Sequence, residues 1–169
     1  MRYLLMCLLI GSSLSLIAQN KKQKKLAGYT NRDYEILCIG VGVEGTKIIE
    51  IQGYGSSPEE AERQAKRNAI HGVIFKGAPG NAGGCQGIKP LAKSVTLEES
   101  RADFFKPFFA PGGQYLNFVA LTSQGGNNRT ITRVDKKVFK VGINASVLYS
   151  SLRKELENAG IIKKLGAGF

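Results

Sequence analysis

The sequence predicts an α+β fold, a two-layer sandwich in which an antiparallel sheet carries helices on one face. Strand-like and helix-like patterns follow one another in the order ββα-α-ββα, without the regular strand–helix alternation of a parallel sheet. The chain has 169 residues, which is enough for one domain with its own core. Its hydrophobic content of 43% is that of a globular protein.

Residues 1–19 have the layout of a secretory signal peptide. Arg2 supplies the positive charge, an apolar run follows from Tyr3 to Ile10, and cleavage is expected near Ala18, with Ser15 as the competing site. The apolar run is shorter than the ~20 residues of a membrane-spanning helix. We therefore expect a secreted or periplasmic protein with no transmembrane span after processing, and an uncleaved anchor is the alternative.

Residues 20–30 are strongly basic and are predicted to form a flexible arm. This arm contains Lys21, Lys22, Lys24 and Lys25. It is either a solvated tail or a contact for an anionic surface. A single domain is expected over residues 31–162, followed by a C-terminal tail over 163–169.

The start of this domain predicts a β-hairpin. Residues 34–43 and 47–53 are rich in β-branched and large apolar residues. Between them lies Glu44-Gly45-Thr46, whose glycine suits a positive φ angle. The hairpin also contains Gly40 to Gly45, a literal G-x-G-x-x-G. A dinucleotide site needs a long helix after this motif, and the β-branched residues that follow predict a strand.

A helix of about four turns is predicted after the hairpin. Ser57 is the expected N-cap, Pro58 takes the first helical position and Glu60 completes a capping box. Alanines recur at every fourth position, so this helix can lie close against a sheet. The helix is expected to end near Gly77.

The remainder predicts a loop, a short helix, two or three strands and a last helix. Residues 77–90 are expected to form a mobile glycine-rich loop, without the Gly-Lys-Ser/Thr ending of a phosphate-binding loop. Thr96 is expected to cap a short helix that Pro107 ends or kinks. Beyond it, the pattern predicts a strand over 114–122, a hairpin loop over 123–128, one or two strands over 129–147 and a helix over 148–159.

The cysteines leave two possibilities open. Signal cleavage would remove Cys7 and leave Cys38 and Cys85, which are expected either to form a disulfide or to be buried free thiols. Cys85 beside His71 is the pairing from which a thiol enzyme would be built, because a nearby base activates a thiolate. A single histidine and three cysteines are too few for a zinc site, and no metal or cofactor is expected.

Four of the eight phenylalanines fall within six positions: Phe104, Phe105, Phe108 and Phe109. They are either part of the core or an exposed apolar edge for assembly or membrane contact. The net charge of +11 is not accompanied by an aromatic-rich basic motif or a recognition-helix pattern. Nucleic acid is therefore not an expected partner.

The run from Ile49 to Ala69 resembles the signature of LPP20-type envelope proteins and of the related N-terminal domain of the flagellar assembly protein FlgT. Those families have a strand, a glycine-containing turn and a helix with repeated small residues. The residues that match here are Gly53, Gly55, Ala61, Ala65 and Ala69. The resemblance implies a non-enzymatic envelope component with an α+β fold, and it implies no site residues.

These observations predict a secreted or periplasmic accessory protein of the bacterial envelope that acts by binding or assembly rather than catalysis. Its expected partner is an envelope protein or an anionic envelope surface, and homo-oligomerisation is left open. Two alternatives remain: a small periplasmic hydrolase or thiol enzyme, and a module that binds an anionic ligand through the glycine-rich loop. No catalytic residues are expected.

Overall fold

The computed structural model describes residues 34–81, 84–94, 96–122 and 129–164. The predicted signal peptide, the basic arm with Lys21, Lys22, Lys24 and Lys25, and most of the predicted tail lie outside these residues. Among the described residues, each helix is too short or too polar to cross a bilayer.

Five antiparallel strands form one sheet, and four α-helices accompany it in the described part of the chain. The strands are β1 (Ile36–Val41), β2 (Lys47–Gly55), β3 (Val119–Leu121), β4 (Arg129–Asp135) and β5 (Val138–Val147). The helices are α1 (Pro58–His71), α2 (Leu97–Ser100), α3 (Ala102–Phe108) and α4 (Tyr149–Asn158). The predicted α+β class is confirmed.

The predicted hairpin is confirmed as β1 and β2. Ile36 pairs with Ile51 and Val41 with Lys47. Glu44 and Gly45 adopt φ angles of 54° and 74° in the turn, a region that glycine enters without steric cost. The G-x-G-x-x-G motif therefore spans a strand end and a tight turn, and β2 follows it directly.

Helix α1 starts as the sequence predicts. The Ser57 hydroxyl accepts a hydrogen bond from the Glu60 amide at 3.2 Å. The Glu60 carboxylate accepts from the Ser56 amide at 2.9 Å, one residue earlier than a standard capping box would have it. Five further residues, Gly72–Lys76, continue the helix as a wider π-helical turn that ends at Gly77, whose φ is 73°.

The alanine face of α1 lies directly on β2. Ala61, Ala65 and Ala69 are fully buried. A Cβ atom added to Gly53 would lie 2.3 Å from the Ala65 backbone nitrogen. The glycines of β2 and the alanines of α1 therefore allow the two backbones to approach one another more closely than larger residues would.

One hydrophobic core joins the helices to one face of the sheet, as predicted. It combines Ile49 and Ile51 of β2 and alternate residues of β5 with the buried residues of the helices. Leu152 and Leu156 of α4 belong to the same core. The opposite face carries mainly polar side chains on β2, β4 and β5.

The strand pairing differs from the prediction after residue 113. Residues 114–118 form a 3-10 helix, and the strand predicted over 114–122 is reduced to the three residues of β3. Strands β3 and β4 do not pair with each other; Leu121 pairs with Ala145 and Arg129 with Ile143, so both lie along the same side of β5. The hairpin joins β4 to β5 through Lys136-Lys137, and residues 123–128 lie outside the described residues.

Two other local predictions are wrong. The predicted short helix is two helices, α2 and α3, because Arg101 between them leaves helical geometry with φ −116° and ψ 39°. Thr96 makes no side-chain cap at the start of α2, and the Ser94 hydroxyl instead accepts from the Thr96 amide at 3.2 Å. The sequence signal for a cap was present, but the Thr96 hydroxyl bonds the Ser94 hydroxyl at 2.8 Å instead of accepting from a helix amide.

The described part of the glycine-rich loop is fixed by backbone hydrogen bonds, contrary to the predicted mobile loop. The Ala78 and Ile88 amides each donate to the other residue's carbonyl at 2.8 and 2.7 Å. The Cys38 amide of β1 donates to the Pro79 carbonyl at 2.8 Å. The loop therefore lies along the outer edge of β1 and covers it.

Candidate functional site

Strand β4 forms an exposed edge of the sheet, and we call its outward side the β4 edge. It pairs with β5 on one side only among the described residues. Residues Arg129 to Val134 are all exposed. The β-branched side chains of Ile131 and Val134 are 50% and 39% exposed. This edge presents both backbone polar groups and apolar side chains to its surroundings.

The β4 edge is also basic. The Arg129 Nε lies 3.2 Å from the Glu62 carboxylate of α1, and the Arg129 side chain remains 35% exposed. The Arg133 guanidinium lies 5.9 Å from the centre of the Phe139 ring and donates to the Asp135 carbonyl at 3.3 Å. These contacts hold both arginines alongside the strand, and both residues remain exposed.

A polar groove of about 700 Å³ lies on the sheet face opposite the core, next to β4. Thr130 and Thr132 of β4 line one side of it, and Lys140, Gln52 and Glu50 are among its other lining residues. Hydroxyl, amide, carboxylate and ammonium groups thus share one surface. Such a set can hydrogen-bond the side chains or backbone of a bound segment.

Cys38 and Cys85 form a disulfide, with their Cα atoms 5.7 Å apart. The first of the two predicted possibilities is therefore confirmed, and the alternative of two free thiols is wrong. The alternative pairing of a Cys85 thiol with His71 is absent from this structure, because the Cys85 sulfur is bonded to Cys38 and is not a free thiolate. The bond attaches the glycine-rich loop to β1 at the edge of the sheet opposite β4.

His71 lies at the centre of a buried hydrogen-bonded chain. Its Nδ1 is 2.5 Å from the Tyr34 hydroxyl, and its Nε2 is 3.0 Å from a Glu98 carboxylate oxygen. A proton on Nε2 allows the ring to donate to Glu98 and to accept from Tyr34. The rings of Phe75 and Phe109 pack around it at centroid distances of 4.8 and 5.9 Å. These hydrogen bonds connect Tyr34, which precedes β1, to α1 and α2. The arrangement stabilises the fold.

Tyr34→Phe is expected to lower the free energy of unfolding by about 1–2 kcal/mol, because it removes a buried hydroxyl that bonds His71. Chemical denaturation of both proteins measures the difference. Tyr149→Phe, at a half-buried ring of α4, is the matched control and is expected to change stability by less than about 0.5 kcal/mol. Equal effects of the two substitutions would contradict the role assigned to the buried chain.

The phenylalanine cluster belongs to the core, so its use as a partner surface is wrong for three of its four members. Phe105, Phe108 and Phe109 are 2%, 1% and 6% exposed, and Phe104 is half-buried. Three of the phenylalanines lie in α3 and Phe109 follows it directly, so their helical spacing brings the four rings together. They pack against the π-helical turn and the 3-10 helix through Phe75, Tyr115 and Phe118.

Phe108→Ala is expected to cost about 3 kcal/mol of unfolding free energy, because it removes a buried ring and leaves a cavity among aromatic neighbours. Phe104→Ala is the comparison within the same helix, and its half-buried ring predicts a smaller loss. Urea denaturation with the two variants side by side decides the order. If Phe108→Ala leaves the unfolding free energy unchanged, the ring is not part of the core and its predicted use as a partner surface is supported instead.

The sequence predicts no metal site and leaves an anionic-ligand site in the glycine-rich loop as an alternative. Within 34–81, 84–94, 96–122 and 129–164, His, Cys, Asp and Glu side chains do not form any group of three that would hold a metal ion. The amides of Gly77, Ala78, Asn81 and Ile88 donate to backbone carbonyls. Those four donors of the glycine-rich loop are therefore engaged and are not directed at an anionic ligand.

Neither the β4 edge nor the polar groove was predicted from the sequence. The alternation from Phe139 to Val147 predicts one or two strands over 129–147, and the second possibility is confirmed as β4 and β5. The position of β4 at an edge depends on which strands pair, and no local pattern contains that information. The clue that was present is that neither face of β4 carries a continuous set of large apolar residues.

Comparison with known proteins gives no relative for this chain. No protein-family model matches it, and neither the curated proteins nor the solved structures contain a significant match. The resemblance of residues 49–69 to envelope proteins therefore stays a prediction.

Proposed function

We propose that this chain is a secreted or periplasmic accessory protein of the bacterial envelope that acts by binding or assembly rather than catalysis. The observation that carries the proposal is the β4 edge. Exposed backbone and β-branched side chains along a whole strand favour association with another protein, because edges without a partner are usually shortened or covered. The polar groove beside the edge extends the surface available for contact.

Two independent features support the proposed compartment. Residues 1–19 have the pattern of an export signal, and the Cys38–Cys85 disulfide is typical of an oxidising environment outside the cytoplasm. An envelope location also fits the likeness of residues 49–69 to LPP20-type proteins. The matching glycines lie in β2 and the matching alanines in α1, where close packing uses both.

Cell fractionation of a producing bacterium tests this function. The mature protein is expected with the envelope fraction, and a wash with about 0.5 M salt should release it if charged contacts hold it there, because salt screens such contacts. Mass spectrometry of the released protein should also find the signal segment removed and no free thiol. A protein that remains in the cytosolic fraction with its first residues intact would contradict the proposal.

A second measurement separates binding from catalysis. Chemical crosslinking in intact cells should connect lysines near β4, such as Lys136 or Lys137, to a specific envelope protein. Crosslinks confined to the protein itself, together with elution as a soluble monomer, would count against a binding or assembly function.

A further inference from the structure

We propose that the β4 edge binds an extended acidic segment of another protein, which adds to the sheet as a further strand beside β4. This inference rests on the proposed binding function and deepens it by naming the site and the chemistry of the partner. The segment recognised has the pattern acidic-x-aliphatic-x-acidic, so that its acidic and aliphatic side chains share one face of the added strand. Backbone hydrogen bonds provide the pairing, and the side chains provide the choice of partner.

The two outer edges of the sheet differ in whether another part of the chain covers them. The edge of β1 is covered, since the glycine-rich loop bridges to Cys38 and is joined to it by the disulfide. The β4 edge has no such cover among the described residues. It is seven residues long, four of them are β-branched and none is proline. Length, composition and exposure make it the better template for an added strand.

The charge of β4 and the start of β5 indicates which kind of strand would bind there. Residues 129–140 contain five basic residues and one acidic residue. The basic residues of this stretch are Arg129, Arg133, Lys136, Lys137 and Lys140. A second copy of the chain would bring two such hairpins together, and each copy carries a net charge of +11. In the self-pairing centred on Ile131, each Arg129 would also lie opposite the Arg133 of the other copy. Electrostatics therefore favours an acidic partner over self-association.

Because the side chains of a strand alternate between its two faces, the residues of β4 define the sequence pattern expected of the partner. Arg129, Ile131 and Arg133 lie on the core side of β4, in register with Ile143, Val141 and Phe139. Thr130 and Thr132 lie on the groove side. An added strand would place acid, aliphatic and acid residues next to Arg129, Ile131 and Arg133, and small polar residues above the groove. The predicted pattern is acidic-x-aliphatic-x-acidic, with x a residue such as threonine.

The test uses a fluorescent peptide of nine residues with the sequence Thr-Glu-Thr-Val-Thr-Glu-Thr-Val-Thr. Fluorescence anisotropy should show saturable binding to the full mature protein. A peptide with Lys in place of Glu should bind at least about ten times more weakly. Hydrogen exchange should slow at amides of β4 when the acidic peptide binds, while the amides of β1 keep their rates.

Two N-methylated peptides examine the backbone pairing itself. One is methylated at the Glu and Val amides and the other at the Thr amides. Only alternate amides of an added strand face its neighbour, so one methylated peptide should lose binding and the other should retain it. Equal binding by both methylated peptides would overturn strand addition and would indicate charge attraction alone.

Variants of the protein locate the site. Ile131→Asp should weaken binding of the acidic peptide at least about tenfold, because it removes an apolar contact and adds a like charge. Val43→Asp is the matched control, since Val43 is 83% exposed on the β1–β2 turn and its substitution should leave the affinity unchanged. Circular dichroism and a urea titration of both variants establish that each remains folded.

Three further results would overturn the inference: no saturable binding up to millimolar peptide, equal loss of affinity in the two variants, or a stable dimer whose β4 amides are protected without peptide. None of them bears on cell fractionation or on crosslinking to another envelope protein. Failure of this inference would therefore leave the proposed function standing with a different contact surface, whereas a cytosolic location would remove the function itself.

Discussion

Gly53→Val is expected to prevent folding, or to lower the free energy of unfolding by more than about 4 kcal/mol. Gly53 faces α1 where the helix and sheet backbones lie close together. A Cβ atom there would lie 2.3 Å from the Ala65 nitrogen and 2.4 Å from the Ala61 carbonyl oxygen, and both are backbone atoms. Relief would require moving the whole helix away from the sheet, with loss of packing along its buried face.

The far-ultraviolet circular dichroism spectrum and a urea titration measure this effect. Gly40→Ala in β1 is the control, because a Cβ atom at that glycine would be 3.5 Å from the nearest atom, an ordinary contact. We expect the control to retain a stability close to that of the parent protein. A Gly53→Val protein that unfolds at the same urea concentration as the control would show that α1 and β2 are not tightly packed.

Replacing both Cys38 and Cys85 by alanine is expected to lower the free energy of unfolding by about 4 kcal/mol. The two residues are separated by 47 positions, so the bond removes considerable freedom from the unfolded chain. In the folded protein the same bond keeps the glycine-rich loop against β1. The loss should therefore be accompanied by faster hydrogen exchange at the Cys38 amide, whose acceptor is the Pro79 carbonyl.

Denaturation with and without a reducing agent separates the bond from the side chains. The parent protein should lose stability when reduced, and the double alanine variant should not respond to the reductant. If reduction leaves the parent's unfolding curve unchanged while its thiols become reactive, the bond contributes nothing to stability and the assigned role is wrong.

The parts of the fold that local chemistry determines were predictable. The β1–β2 hairpin depends on a turn where Gly45 takes a positive φ, and the start of α1 depends on Ser57 and Glu60. Each of these signals lies within a few residues of the structure it specifies. The alanine spacing also predicted the close packing of α1 on the sheet, since small side chains permit such an approach.

The parts that failed depend on partners far away in the sequence. Lys136-Lys137 has none of the glycine that marks a tight hairpin, so the sequence does not locate the turn between β4 and β5 and only leaves open two strands over 129–147. The glycine-rich loop was predicted to be mobile because the hydrogen bonds that hold it include one to β1, which is distant in the sequence. Phe108 was ambiguous for a similar reason, since its burial depends on Phe118 and other distant rings.

Only the residue types of the candidate site could be predicted from the sequence. The basic and β-branched residues of 129–134 are visible in the sequence, but their meaning depends on β4 being the last strand on its side of β5. The Lys21–Lys25 arm lies outside the described residues and stays a prediction. The disulfide was one of two possibilities because spacing alone does not show whether Cys38 and Cys85 approach each other.

The position of β2 in the sheet has a consequence for how the chain assembles. Its neighbour on one side, β1, precedes it almost immediately, but its neighbour on the other side is β5, with Lys47 opposite Val147. A chain exported with its N-terminus first would deliver β1, β2, α1 and both cysteines before β5 arrives. During that interval β2 has an unpaired side, which invites wrong pairing with other chains. The last fifth of the chain, which begins with β5, thus completes the pairing of β2, and we expect truncation before residue 138 to yield aggregates rather than a smaller folded protein.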